Sequence, residues 1–151
     1  MILLSRRSQL AIAAVVDVAL HARPTPVAAK SLAARHNLPP RHLETLLQAL
    51  VKAGILKGVR GPRGGYELAK ERRRITAGEI VRAAMADGAE DADPAPDSKL
   101  VEHVIHPLVE KAGQHFLAEM DAVTVDDLCR ESGAKGVFEG MATGADFTIS
   151  N

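Results

Sequence analysis

Six residues, Arg60-Gly61-Pro62-Arg63-Gly64-Gly65, separate two short β-type runs at 55–59 and 66–68. Glycines and a proline between residues that favour extended backbone predict a β-hairpin with a longer loop. The two arginines at its tip have no place in a core. An exposed tip carrying arginine among small residues suits a DNA minor groove, where the potential is most negative. A plain exposed loop is the alternative reading of both residues.

What precedes the hairpin narrows the fold further. Residues 5–21 read as a helix, with Leu10, Ala13, Ala14, Val18, Ala19 and Leu20 on one broad stripe, and Pro24 and Pro26 end it. A short Ala-rich helix follows at 27–36, closed by Asn37. After the tight turn Leu38-Pro39, Pro40 is well placed as a first helical residue, where its missing N–H costs little. A third helix then runs from 40 to 53, with Leu43, Leu46, Leu47, Leu50 and Val51 at the spacing of a buried stripe and Gly54 as its stop. Its other face carries Arg41, His42, Glu44, Thr45 and Gln48, side chains able to read base edges or phosphates. For Glu44 a solvated helix charge is the plainer alternative.

Beyond the hairpin, Thr76-Ala77-Gly78-Glu79 has a capping-box pattern and opens a helix with Ile80, Val81 and Ala84 facing inward. Residues 87–98 are acidic, rich in Ala and Pro, and aperiodic. From Leu100 a wide apolar stripe returns through Val101, Val104, Ile105, Leu108, Val109 and on to Met120, interrupted by Pro107. Either the helix kinks there or it starts near His106 with Pro107 in its first turn; the second avoids the cost of a mid-helix proline and is the expected one, and it leaves room for helical residues before it. The stripe is wider than a small domain needs and so predicts an interface. Thr124 caps a last short helix with Asp127 three residues on, and a tail with four glycines covers 133–151. Helix, helix, tight turn, helix and Gly-rich hairpin is the order of a winged helix-turn-helix. The predicted fold is therefore mostly α with a small β-hairpin wing (α+β), divided into a reading domain at 1–86, an acidic loop at 87–99, dimerisation helices at 100–132 and the tail.

With 151 residues there is room for one ordinary domain, and 46% apolar residues argue against wholesale disorder. Aromatics at 3% and no Trp disfavour proteins that stack single-stranded bases. The net charge of zero conceals a segregation: 15 Lys/Arg against 5 Asp/Glu in 1–86, and 4 against 14 in 87–151. A basic half points to a polyanion partner, against the alternative of clustered solvated charge. Ser5-Arg6-Arg7 before an apolar run superficially resembles a leader, but Asp17 interrupts the run, and nothing reaches the roughly 18 apolar residues of a membrane span. A cytoplasmic chain without a membrane segment is expected. No Ser/His/Asp constellation, phosphate loop or HExxH motif occurs, so no enzyme is expected.

Asp17-Val18-Ala19-Leu20, Leu43-Glu44 with Leu46, Leu47 and Leu50, and the whole segment from Val59 to Leu68 resemble the Rrf2 family of bacterial winged-helix regulators. The R-G-P-x-G-G-Y wing motif is highly specific for it. The resemblance implies a homodimeric transcription regulator, expected to be a repressor, that crosses its long helices and binds a near-palindromic operator in double-stranded DNA. It places Glu44 at the family's base-reading position and Arg60 at its minor-groove position, while Arg41, His42, Thr45 and Gln48 follow by helix geometry. A winged-helix adaptor that docks a protein is the competing reading; it would go with loss of basic residues, yet Arg41, Lys57, Arg60 and Arg63 are all present.

The sequence departs from the family in one respect. Members that bind an iron–sulfur cluster carry three cysteines in the segment that here reads 87–99, and this segment has none. Thiolates are the ligands such a cluster needs, so no cofactor is expected. His106 aligns with a non-cysteine ligand position of one branch, against a structural role at a helix start. Three sensing routes stay open. Asp87, Glu90, Asp91 and Asp93 with His103 and His106 would form a divalent-metal site. Cys129 would act as a redox switch, or be inert and buried beside Leu128. A small-molecule or protein effector would bind the dimer between the winged domains and the long helices.

Overall fold

The computed structural model describes residues 4–86 and 98–139. Six helices and a small two-stranded antiparallel sheet follow one another in the order α1 (Arg6–His21), α2 (Ala29–Arg35), α3 (Pro40–Lys52), β1 (Leu56–Val59), β2 (Gly65–Leu68), a 3-10 turn (Arg72–Arg74), α4 (Ala77–Met85), α5 (His106–Asp121) and α6 (Val125–Ala134). Ser5 caps α1, its hydroxyl accepting the N–H of Ser8 at 3.0 Å. α2 ends at Arg35 with His36 as its C-cap, and Asn37 then takes a left-handed backbone (φ 55°), a conformation Asn tolerates better than most residues. Pro40 opens α3 as expected.

The core is built on the α3 stripe. Leu43, Leu46, Leu47 and Leu50 are all fully buried against Ala11, Ala14, Val15 and Val18 of α1, with Ile55, Ile75 and Ile80 closing the cluster. Each such leucine contributes roughly 2 kcal/mol of burial. The stripe is narrower than the sequence pattern implies, because Val51 is 37% exposed, as is Leu20 at the end of the α1 stripe. α3 stops where the N–H groups of Gly54 and Ile55 turn back to the carbonyls of Val51 and Leu50, both at 3.0 Å, which delivers the chain directly into β1.

Two local expectations, at Val27 and at Glu79, are corrected, and a third, at His106, is borne out and extended. Val27 does not start α2: its N–H and C=O pair with the C=O and N–H of Tyr66 (2.9 and 2.8 Å), adding a third, single-residue rung to the hairpin. A residue with the β-branched stiffness of Val fits that extended position better than a helix start. The long α-helix does begin at His106 with Pro107 in its first turn, and the residues before it are helical as well. Residues 101–105 form a π-helical stretch that feeds straight into α5, with the His106 N–H bonded to the Val101 carbonyl. The widened turn lies immediately before Pro107, whose ring and missing N–H a regular turn would not accommodate. Finally, Thr76 caps α4 by accepting the Glu79 N–H at 3.1 Å, but the Glu79 carboxylate accepts from Lys70 Nζ at 2.6 Å instead of reaching back. The reciprocal box is complete only at α6, between Thr124 and Asp127.

α5 stands apart from this core. None of its residues is buried; Val104 in the π-helical stretch before it is 58% exposed, and Leu108 and Val109 within it are 65% and 60% exposed. Its C-terminal end is fastened to α4. The Arg82 guanidinium donates to both Asp121 oxygens at 2.6 and 2.9 Å, and Gly78 lies so near Asp121 that a Cβ there would sit 1.9 Å from its Oδ1. Backbone bonds from Ala77 N–H to Val123 O and from Val125 N–H to Ile75 O, both 2.8 Å, complete the joint. Among the described residues no helix is long and apolar enough to cross a membrane.

Candidate nucleic-acid interface

The geometry of α3 follows from its spacing. Arg41, Glu44, Thr45 and Gln48 recur at i, i+3, i+4 and i+7, opposite the buried leucines, and all four are exposed. The side chain of His42 lies outside the described residues. Neither Arg41 nor Glu44 is held in an ion pair or side-chain hydrogen bond among the described residues, so each is available to an outside partner.

The wing is a short two-stranded finger. β1 and β2 pair Leu56 with Leu68, Lys57 with Glu67, Gly58 with Tyr66 and Val59 with Gly65. Lys57 Nζ and Glu67 Oε1 lie 3.1 Å apart across the strands. At the tip, the Gly64 N–H bonds to the Gly61 carbonyl at 2.9 Å, a turn whose second residue is Pro62. Arg63 sits within this turn and Arg60 just before it, both exposed and with no partner among the described residues. Gly65 is required where the finger meets the body, since a Cβ there would lie 2.3 Å from the Val27 carbonyl oxygen.

A feature that sequence reading missed holds this apparatus in place. Asp17 is completely buried, and its carboxylate accepts from Arg35 Nε and Nη2 at 2.8 and 2.6 Å. It also meets His36 Nε2 at 2.9 Å and His21 Nδ1 at 3.1 Å. Burial alone would raise the Asp17 carboxyl, but these hydrogen bonds outweigh it and hold the group well below the usual carboxylate range. The bond to Asp17 likewise raises the His21 pKa, against burial. Arg35 and His36 end α2 immediately before the turn to α3, so the knot fixes that turn from beneath. Asp17 is thus no mere break in an apolar run. A lone carboxylate among Ala and Val in a helix was the available signal.

The remaining candidates are dispersed. His103 and His106 are exposed, and His106 Nε2 is 3.6 Å from Glu110 Oε2. No group of three His, Cys, Asp or Glu side chains suited to a metal assembles among the described residues. Asp87, Glu90, Asp91 and Asp93 lie outside the described residues. Cys129 is 4% exposed, packed within the core.

A three-helix reader followed by an arginine-tipped hairpin defines a winged helix-turn-helix DNA-binding regulator. Residues 4–131 match the Rrf2 family, described as iron-dependent transcriptional regulators, and the chain belongs to that family. An HTH-type transcriptional regulator of Synechocystis sp. is 34% identical over 130 residues, 83% of this chain and 86% of that protein. Among solved structures, T. potens IscR is 31% identical with a TM-score of 0.69, covering 97% of this chain and 96% of its own. CymR, the global cysteine regulator of B. subtilis, is 27% identical with a TM-score of 0.64, covering 87% and 98%. Family and relatives are transcriptional regulators, not enzymes.

Proposed function

We propose that the protein is a homodimeric, sequence-specific repressor that reads a near-palindromic operator. The reading head is α3, with Glu44 discriminating bases and Arg41, His42, Thr45 and Gln48 completing the contact, while Arg60 and Arg63 enter the flanking minor groove. The observation that carries this reading is a set of exposed arginines on α3 and the wing, Arg41, Arg60 and Arg63, that no carboxylate neutralises among the described residues. The exposed Val104 of the π-helical stretch and Leu108 and Val109 of α5 support pairing with a second copy, since so much contiguous apolar surface is rarely left in water.

The donor set does not fit an iron–sulfur cluster of thiolates. The chain has one cysteine, and its side chain is enclosed in the core. We therefore place this protein in a branch that senses something other than cluster assembly, by an effector of its own.

The test is selection of duplexes from a random pool with the full chain. Two half-sites in inverted repeat are expected, with affinity falling steeply as salt rises. In the Glu44→Ala variant, discrimination between bases should relax more than total affinity falls. A uniform loss across all sequences would remove Glu44 from base reading, and selection of no duplex would end the proposal.

A further inference from the structure

A cleft of about 660 Å³ opens on a part of the molecule that neither α3 nor the wing tip uses. It lies between the end of α1, the far half of β2, the segment 70–73 and α6. Its volume falls in the range of small-molecule sites. Leu20, Ala22 and Leu68 supply an apolar wall, and four cations face three carboxylates around it.

The pairing of those charges leaves a surplus. Lys70 is taken by Glu79 at 2.6 Å, and Glu67 by Lys57 at 3.1 Å. Arg72 Nε is 3.4 Å from Asp126. Arg73 only reaches Glu71 at 3.9 Å, and Arg23 is in no ion pair or side-chain hydrogen bond among the described residues. The Arg23 guanidinium thus borders an apolar wall with no anion among the described residues, and that of Arg73 is held only by the long contact to Glu71. Guanidinium presents a planar fork of donors matched to a carboxylate, and it is less strongly hydrated than an ammonium, so an anion displaces its water readily.

We propose that this cleft is an effector site for a small carboxylate with an apolar body, its anionic end on Arg23 and Arg73 and its body on Leu20, Ala22 and Leu68. An occupant touches β2, the strand that carries the wing, and the end of α1, four residues beyond Asp17. It is therefore placed to alter the grip on DNA without entering the DNA-binding face.

The experiment titrates the full-length chain, free of DNA, with phenylacetate, hexanoate, 2-phenylethylamine and inorganic phosphate, following backbone amide resonances. Saturable shifts at Leu20, Ala22 and Leu68 are expected with the two carboxylates and not with the amine. The double variant Arg23→Gln, Arg73→Gln, altered only at exposed side chains, should bind the carboxylates at least tenfold more weakly while keeping the wild-type spectrum elsewhere. Saturating carboxylate should change the affinity of the wild-type chain for its selected duplex at least threefold and leave the double variant unaffected. Absence of saturable shifts, undiminished binding by the double variant, equal binding of phosphate or the amine, or unchanged DNA affinity would each overturn the proposal. The titration contains no DNA, so its failure leaves the reading of the chain as a DNA-binding regulator untouched, and failure of DNA selection leaves the binding data standing.

Discussion

α3 and α5 are both amphipathic helices, yet they treat their apolar stripes in opposite ways. Leu43, Leu46, Leu47 and Leu50 of α3 are each 0% exposed, closed off by α1 and the residues around the hairpin. Val104, Leu108 and Val109 along α5 and the turn before it stay more than half exposed. The first stripe is satisfied within the chain and fixes where the exposed face of Arg41, Glu44, Thr45 and Gln48, the proposed reading face, points. The second contributes almost nothing to the lone chain. Hydrophobic spacing alone therefore announces a buried face without saying who buries it.

The comparison breaks most decisively at Asp17. Replacing it by alanine strands the Arg35 guanidinium, only 6% exposed, without its counter-ion, which should cost about 3–5 kcal/mol in urea unfolding. A loss below about 1 kcal/mol would show that the α1–α3 region does not depend on the knot. On the other side, Val104→Glu with Leu108→Glu alters only exposed positions. It should leave the thermal transition of the lone chain nearly intact, convert the protein to a monomer in sedimentation, and weaken operator binding about a hundredfold through lost two-site attachment. A dimer that survives both charges would mean α5 is not the contact. A smaller effect is expected at the wing: Arg60→Ala should lower operator affinity about tenfold, with unchanged stability, as read by electrophoretic shift at moderate salt.

The smallest effect sharpens the comparison through pH. The pKa of His21 is raised in the folded chain, so its bond to Asp17 is fully present below about pH 6.5 and is lost as pH rises through the folded value. Asp17 is lowered, so its contribution is present above about pH 4 and fades as acid titrates the folded carboxyl. Wild-type stability should therefore decline by at most about 1 kcal/mol from pH 6.5 to 8.5, and a His21→Gln variant should lack that decline. Identical slopes in urea titrations of the two proteins would remove His21 from the account.

Much of this architecture is legible in the sequence because it is local. The third-helix stripe, Pro40 at its start, Gly54 at its end and the Gly-Pro-Arg-Gly turn each involve residues within a few positions of one another. What the sequence conceals is pairing across distance. Asp17 finds Arg35 and His36 eighteen and nineteen residues on, so its helix shows only an unexplained carboxylate. Val27 leaves the helix pattern because its backbone meets Tyr66, which no periodicity reveals. The cleft at Arg23 and Arg73 is assembled from several separate segments and has no motif at all.

The joint formed by Gly78, Arg82 and Asp121, with the backbone bonds that flank it, leaves little slack between a reading head and the helix proposed to pair it. In such a pair the two heads would behave like the jaws of a fixed caliper. Inserting about five base pairs between the half-sites, which swings one of them to the far side of the duplex, should then be far more damaging than inserting a full turn of about ten.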